Sequence, residues 1–135
     1  ITQSSYGAVM FVTKVTGIKR LYYATWYSIK GLKAAFLSEP AVRQELALLV
    51  IGVTLSFWLD VTVVERVLMV SSLLLIIIVE LLNSAIEAVV DRIGPEIHEL
   101  SGKAKDIGSA AVFVAIMLAL FCWATILYPL ILDLF

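Results

Sequence analysis

"SAAVFVAIMLALFCWATILYPLIL", Ser109 to Leu132, contains no charged residue across 24 positions. As an α-helix it would extend roughly 36 Å, enough to cross a hydrocarbon layer about 30 Å thick. The chain around it has the same character. Of its 135 residues, 61% are hydrophobic and 16% are charged, against roughly 25% charged in an average soluble domain. The sequence therefore reads as a small all-α integral membrane protein, a single domain over 1–135 whose third span is about 107–132.

Working towards the N-terminus, a second span covers about 62–90. Its uncharged core is Val67 to Val79, and it continues through Glu80, Asn83 and Glu87. Such a helix is longer than the bilayer is thick, so one end should emerge. A first span covers about 41–59, with an uninterrupted uncharged run only from Leu46 to Leu59. It reaches spanning length if Arg43, Gln44 and Glu45 lie near an interface. Before it, Ile18, Tyr22, Thr25, Ile29, Leu32 and Phe36 recur at threes and fours, while Lys19, Arg20 and Lys30 point elsewhere. This pattern predicts an amphipathic surface helix at about 17–37, with Trp26 and Tyr27 suited to the headgroup layer. Pro40 restricts Glu39 and fits the first turn of the next helix, which marks a boundary between the two elements.

Basic residues set the expected orientation. Six precede or begin the first span (Lys14, Lys19, Arg20, Lys30, Lys33 and Arg43). One, Arg66, separates the first two spans; three (Arg92, Lys103 and Lys105) separate the second and third; none follows. This asymmetry predicts a cytoplasmic N-terminus and an external C-terminus in a multi-pass protein. The formal net charge of −1 gives no pointer to nucleic acid. Cys122 is the sole cysteine, in an apolar segment, and reads as a small buried hydrophobe.

The chemistry concentrates in "VELLNSAIEAVVDR", Val79 to Arg92. At 100° per residue, Glu80, Asn83, Glu87 and Asp91 fall within about 80° of arc, one polar stripe on an otherwise apolar helix. Interhelical glue is the simplest role for such a stripe. Several ionisable groups at these spacings cost more to bury than glue requires. Converging acids repel unless a cation joins them, and Mg²⁺ takes one or two carboxylates together with phosphate oxygens and water. Glu39 and Glu45 start the first span on the same side, and Lys105, Asp106 and Ser109 begin the last helix there. An acid cluster flanked by Lys105, Arg20 and Lys30 at a membrane surface has the parts for phosphoryl transfer to a lipid hydroxyl. "GKAKDIGS" lacks the spacing of a Walker loop, so phosphates would need another cradle. His98, the sole histidine, reads as an exposed hydrogen-bonding residue or a nucleotide contact. Gly94 and Pro95 read as helix stop and turn.

"VELLNSAIEAVVDRIGPEIHELSGKAKDIGSAAV", Val79 to Val112, together with "KGLKAAFLSEPAVRQE", Lys30 to Glu45, closely resembles the prokaryotic diacylglycerol kinase family. The resemblance covers about Gly17 to Trp123. It implies a homotrimeric bundle in the bacterial inner membrane, each subunit with three transmembrane helices and one surface helix. The implied reaction is phosphorylation of diacylglycerol with Mg²⁺ and ATP, in active sites shared between subunits. Residue by residue, Glu80 looks like the general base, Glu39 and Glu87 like metal ligands, and Asn83 like a support for the acids. Lys105 and Asp106 resemble a catalytic pair at the nucleotide. Arg20, Tyr27, Asp91, Glu96 and His98 match the nucleotide side, and Arg20, Arg43, Glu45, Glu80 and Ser109 the lipid-substrate side. Pro40 follows Glu39 directly, where relatives commonly carry a small residue, a departure that bears on how Glu39 is presented. Undecaprenol kinases of the same family and a non-enzymatic membrane bundle or ion-pathway subunit are the competing readings.

Overall fold

Four helices account for nearly all of residues 16–135, which the computed structural model describes. They are α1 (Ile18–Ser38), α2 (Pro40–Trp58), α3 (Val63–Ile93) and α4 (Glu99–Leu132). Lys14, counted above among the basic residues, lies outside the described residues. The chain divides into two units, Ile1–Ala34 and Ala35–Phe135. Within the first, α1 carries Lys30 Nζ 5.5 Å from the centre of the Trp26 ring and stacks Tyr23 on Tyr27 at 6.4 Å.

The helix boundaries follow from local chemistry. Glu39 adopts an extended conformation as the N-cap of α2 without using its side chain as a cap, and Pro40 occupies the first turn. Proline suits that position because its missing N–H would have no helical partner there. Across this junction Arg43 Nη1 donates to the carbonyls of Phe36 at 2.7 Å and Leu37 at 3.2 Å. These are carbonyls that a helix end leaves without intrahelical donors. Thr62 and Glu65 form a capping box that starts α3 after a short turn. Gly94 ends α3 with φ 150°, a backbone state open to glycine and closed to most other residues.

One boundary differs from the sequence expectation. The last helix begins at Glu99, about two turns before residue 107. His98 is its N-cap: Nδ1 accepts a hydrogen bond from the Leu100 N–H at 3.1 Å. Glu99 adds a negative charge to the first turn, where the helix dipole favours it. Polarity alone made these residues look like a loop, whereas the cap and the charge together start a helix.

α2, α3 and α4 are each long and apolar enough to cross a membrane, so the protein is a multi-pass membrane protein with three spanning helices. α3 is the middle helix and packs on both α2 and α4. Leu73 and Ile76 of α3 are buried with Ala115 and Ala119 of α4, and Leu49, Val79 and Trp123 close around them. The two alanines, one turn apart, let the helices approach; in lipid such packing replaces the hydrophobic drive that water would supply. Serines buried in this region bond within their own helices, Ser56 Oγ to the Val53 carbonyl and Ser72 Oγ to the Met69 carbonyl, both at 2.8 Å. Trp123 Nε1 donates to the Met69 carbonyl at 3.1 Å and ties α4 to α3. Large apolar side chains including Leu68, Leu74, Ile78, Phe113, Val114 and Phe121 remain exposed on the outer faces, as suits contact with lipid or other chains.

Candidate active site

The polar stripe of α3 is graded. Glu80 and Asn83 are buried at 7% exposure, Glu87 is half-buried and Asp91 lies on the surface. Spacings of three and four residues put the group on one face of the helix. Packing on α2 and α4 buries the deeper members of that face more than the shallower ones.

Three elements contribute to the cluster. Glu80 lies close enough to feel the charges of Glu87 and Glu39, and Glu45 feels that of Glu80. Four carboxylates from α3, α2 and the α2 cap therefore share one region. Asn83 Nδ2 donates to Glu87 Oε1 at 3.5 Å, a long bond that links the buried and half-buried tiers. At the outer end, Lys105 Nζ of α4 pairs with Asp91 Oδ1 at 2.7 Å and is also within electrostatic range of Glu87. This is the only ion pair among the described residues, so none of the four glutamates is held in a salt bridge.

Some polar atoms here are buried and have no protein partner: Glu45 Oε2, Asn83 Oδ1 and Ser84 Oγ. Buried oxygens of this kind normally find a partner, so their concentration in one region marks a place where something else is expected to bind. The donor set is made of hard oxygens. Among the described residues no three acidic, histidine or cysteine side chains converge into a complete metal cage. Mg²⁺ does not require one, since one or two carboxylates suffice when phosphate and water oxygens fill the remaining positions. Glu39, with a carboxylate that makes no capping bond, and Glu87, steadied by Asn83, fit that requirement.

The remaining expected site residues are spread more widely. Glu45 is half-buried in the second turn of α2, and Arg43 is engaged with the Phe36 and Leu37 carbonyls. Asp106 and Ser109 are exposed on α4, Glu96 is exposed between α3 and α4, and His98 caps α4. Arg20 and Tyr27 are exposed on α1, within the first unit. Two features were missed by sequence reasoning. Ser84 sits beside the stripe with a buried hydroxyl, and Gly108 of α4 is buried directly against Asn83. Gly108 left no signal, because one glycine near the start of a helix looks the same whether it faces lipid or a neighbouring side chain.

Comparison with known proteins gives a consistent result. The family described as prokaryotic diacylglycerol kinase matches residues 26–127. A diacylglycerol kinase from Escherichia coli (strain K12) is 55% identical over 113 residues, covering 84% of this chain and 93% of the relative. A diacylglycerol kinase from Haemophilus influenzae is 52% identical, covering 85% and 98%. One from Helicobacter pylori (strain 26695) is 39% identical, covering 89% and 94%.

Proposed function

Because the chain belongs to the prokaryotic diacylglycerol kinase family, we propose that it transfers the γ-phosphoryl group of ATP to the free hydroxyl of diacylglycerol, giving phosphatidic acid at the cytoplasmic face of a bacterial inner membrane. Family membership carries the kinase activity. The carboxylates of Glu39, Glu45, Glu80 and Glu87, gathered from two helices and the cap between α1 and α2, are the observation that supports this site for it.

The grading of the stripe suits two substrates from different phases. A lipid hydroxyl arrives from the apolar layer and meets Glu80, the deepest acid. ATP arrives from water and meets Glu87, Asp91 and Lys105, the shallower groups. Glu80 accepts the hydroxyl proton as the lipid oxygen attacks the γ-phosphorus, and the bond to the bridging oxygen of ADP breaks. Bound Mg²⁺ supplies neutralisation of phosphate charge. Glu39 and Glu87 would hold the ion, and Asn83 orients Glu87 through the bond already described. Lys105, oriented by Asp91, places a positive charge near the phosphates, with Asp106 beside it. His98, Glu96, Arg20 and Tyr27 belong to the nucleotide side; Arg43, Glu45 and Ser109 flank the lipid.

The finer architecture belongs to the same proposal. α1 lies in the headgroup layer, the N-terminus faces the cytoplasm and the C-terminus faces outward, in keeping with the distribution of basic residues. Three copies form the working unit and share their sites. The buried oxygens without partners and the broad exposed apolar faces favour further protein contact around this cluster.

The deciding experiment is phosphorylation of a short-chain diacylglycerol in mixed micelles, with ATP and Mg²⁺ varied and undecaprenol assayed alongside. Turnover of diacylglycerol that requires both ATP and Mg²⁺ is expected. Turnover of undecaprenol alone would reassign the acceptor, and turnover of neither would refute the kinase reading. Mixing an Arg20→Ala with a Glu80→Gln variant tests sharing between α1 of one copy and the acids of another, since complementary lesions leave an intact site at one junction. Mixed oligomers no more active than either variant would refute a composite site.

A further inference from the structure

Gly108 of α4 is buried where that helix meets Asn83 of α3. A methyl group built on Gly108 would run into the Asn83 amide, meeting Oδ1 first and then Cγ and Cβ. The Asn83 carbonyl oxygen thus occupies the space that any other residue at 108 would fill. That oxygen is buried and has no hydrogen-bond partner, while Nδ2 on the other side of the amide donates to Glu87 Oε1 at 3.5 Å. Turning the amide over would set its carbonyl against the Glu87 carboxylate and its N–H groups against the Cα–H of glycine. Both contacts are repulsive. In the observed orientation the carbonyl faces the weakly positive Cα–H and the N–H₂ faces the carboxylate.

We infer that Gly108 is a positioning residue, whose missing side chain seats the Asn83 carbonyl and thereby aims the amide N–H₂ at Glu87. It acts two contacts away from the metal, through Asn83 and then Glu87. The inference rests on the assignment of Glu87 as a metal ligand. Gly52 of α2 provides a matched comparison, because a methyl there would also collide, but with Leu73 and the Trp123 ring in the apolar packing.

The test measures Mn²⁺ binding by electron paramagnetic resonance to the full chain in detergent micelles, with a non-hydrolysable ATP analogue present. Gly108→Ala is expected to weaken Mn²⁺ binding about 10-fold, as losing a support of a metal ligand does, whereas Gly52→Ala lowers thermal stability and leaves Mn²⁺ affinity at the parental value. On an Asn83→Ala background, Gly108→Ala should cause no further loss, because the amide it would displace has gone. Parental Mn²⁺ affinity in Gly108→Ala, or losses that multiply in the double variant, would overturn the inference. Glu87→Gln separates the two levels: weakened binding there with parental binding in Gly108→Ala overturns the role of Gly108 alone, whereas parental binding in Glu87→Gln overturns the ligand assignment and this inference with it. If Gly108→Ala does not fold, the double variant decides. Folding comparable to Asn83→Ala supports the collision with Asn83, and failure to fold overturns it.

Discussion

The two halves of α3 treat polar groups in opposite ways. Near its start, Thr62 and Glu65 satisfy each other's backbone groups, Arg66 Nε donates to the Ser56 carbonyl at 3.0 Å, and the Met69 carbonyl accepts from both Ser72 and Trp123. Further along, Glu80 lies within electrostatic range of Glu45, and three buried side-chain oxygens, one each of Glu45, Asn83 and Ser84, bond to nothing in the chain. One half of the helix completes its own hydrogen bonding. The other half is built incomplete, which is what a site for substrates and a cation requires, because groups already paired with protein would have to be released before they could bind anything else.

This contrast predicts effects that shrink as substitutions move from the incomplete half to the complete one. The largest is expected for Glu80→Gln, which keeps the shape of the side chain and removes its capacity to accept a proton. Turnover should fall about 10²-fold or more, while ATP affinity, read by equilibrium binding, changes little because Glu80 lies deepest in the stripe. Parental turnover in a correctly assembled variant would make Glu80 a structural contact. Collapse of ATP affinity with turnover retained would mean that the two ends of the stripe have been assigned in reverse.

Glu39→Gln and Glu87→Gln come next. Each removes one hard anionic ligand, so the Mg²⁺ concentration for half-maximal turnover should rise by at least about 10-fold, no less than the loss of a supporting contact causes. Overlapping Mg²⁺ titrations of variant and parent would exclude both from the metal site. Smaller again is Lys105→Met, expected to raise the KM for ATP about 10-fold through loss of a charge-assisted contact to phosphate. Asp91→Asn should act in the same direction through Lys105, with little added effect in the double variant. Independent, multiplying effects would show that the 2.7 Å pair seen here does not orient the lysine for its task.

The smallest effect is expected in the complete half. Ser72→Ala removes a hydroxyl bonded only to its own helix, so unfolding free energy should change by no more than about 1 kcal/mol and turnover should stay parental. Denaturant unfolding in micelles and the kinase assay measure the two. A large loss of turnover would mean that the two halves of α3 are not functionally separate.

The sequence made much of this contrast readable because it lies within single helices. Long apolar runs placed α2, α3 and α4, and the three- and four-residue spacing put Glu80, Asn83, Glu87 and Asp91 on one face. Pro40 and Gly94 marked boundaries because their backbone restrictions act locally. Relations between helices were harder to read. That Lys105 pairs with Asp91, that Asn83 rests on Gly108, and that Glu45 approaches Glu80 depend on the register of one helix against another, to which periodicity is blind. The early start of α4 was hidden for a different reason: His98 caps through a side-chain nitrogen, a less common choice than the Ser, Thr, Asp or Asn that usually signal a helix start.

The short connection between α2 and α3 bears on how the chain enters the bilayer. α2 carries Arg43 and Glu45 near its start, and the uninterrupted uncharged run that follows, Leu46 to Leu59, is only 14 residues long, so it is a marginal candidate for insertion alone. Between Trp58 and Val63 there is no slack for the two helices to part, and Arg66 grips the Ser56 carbonyl across the bend. α2 and α3 are therefore delivered to the lipid as one hairpin, in which the apolar Val67 to Val79 stretch offsets the reluctance of its partner. The same bend carries Glu39 and Glu45 to the level of Glu80 and Glu87 as the hairpin forms, so biogenesis and assembly of the acidic cluster become a single event.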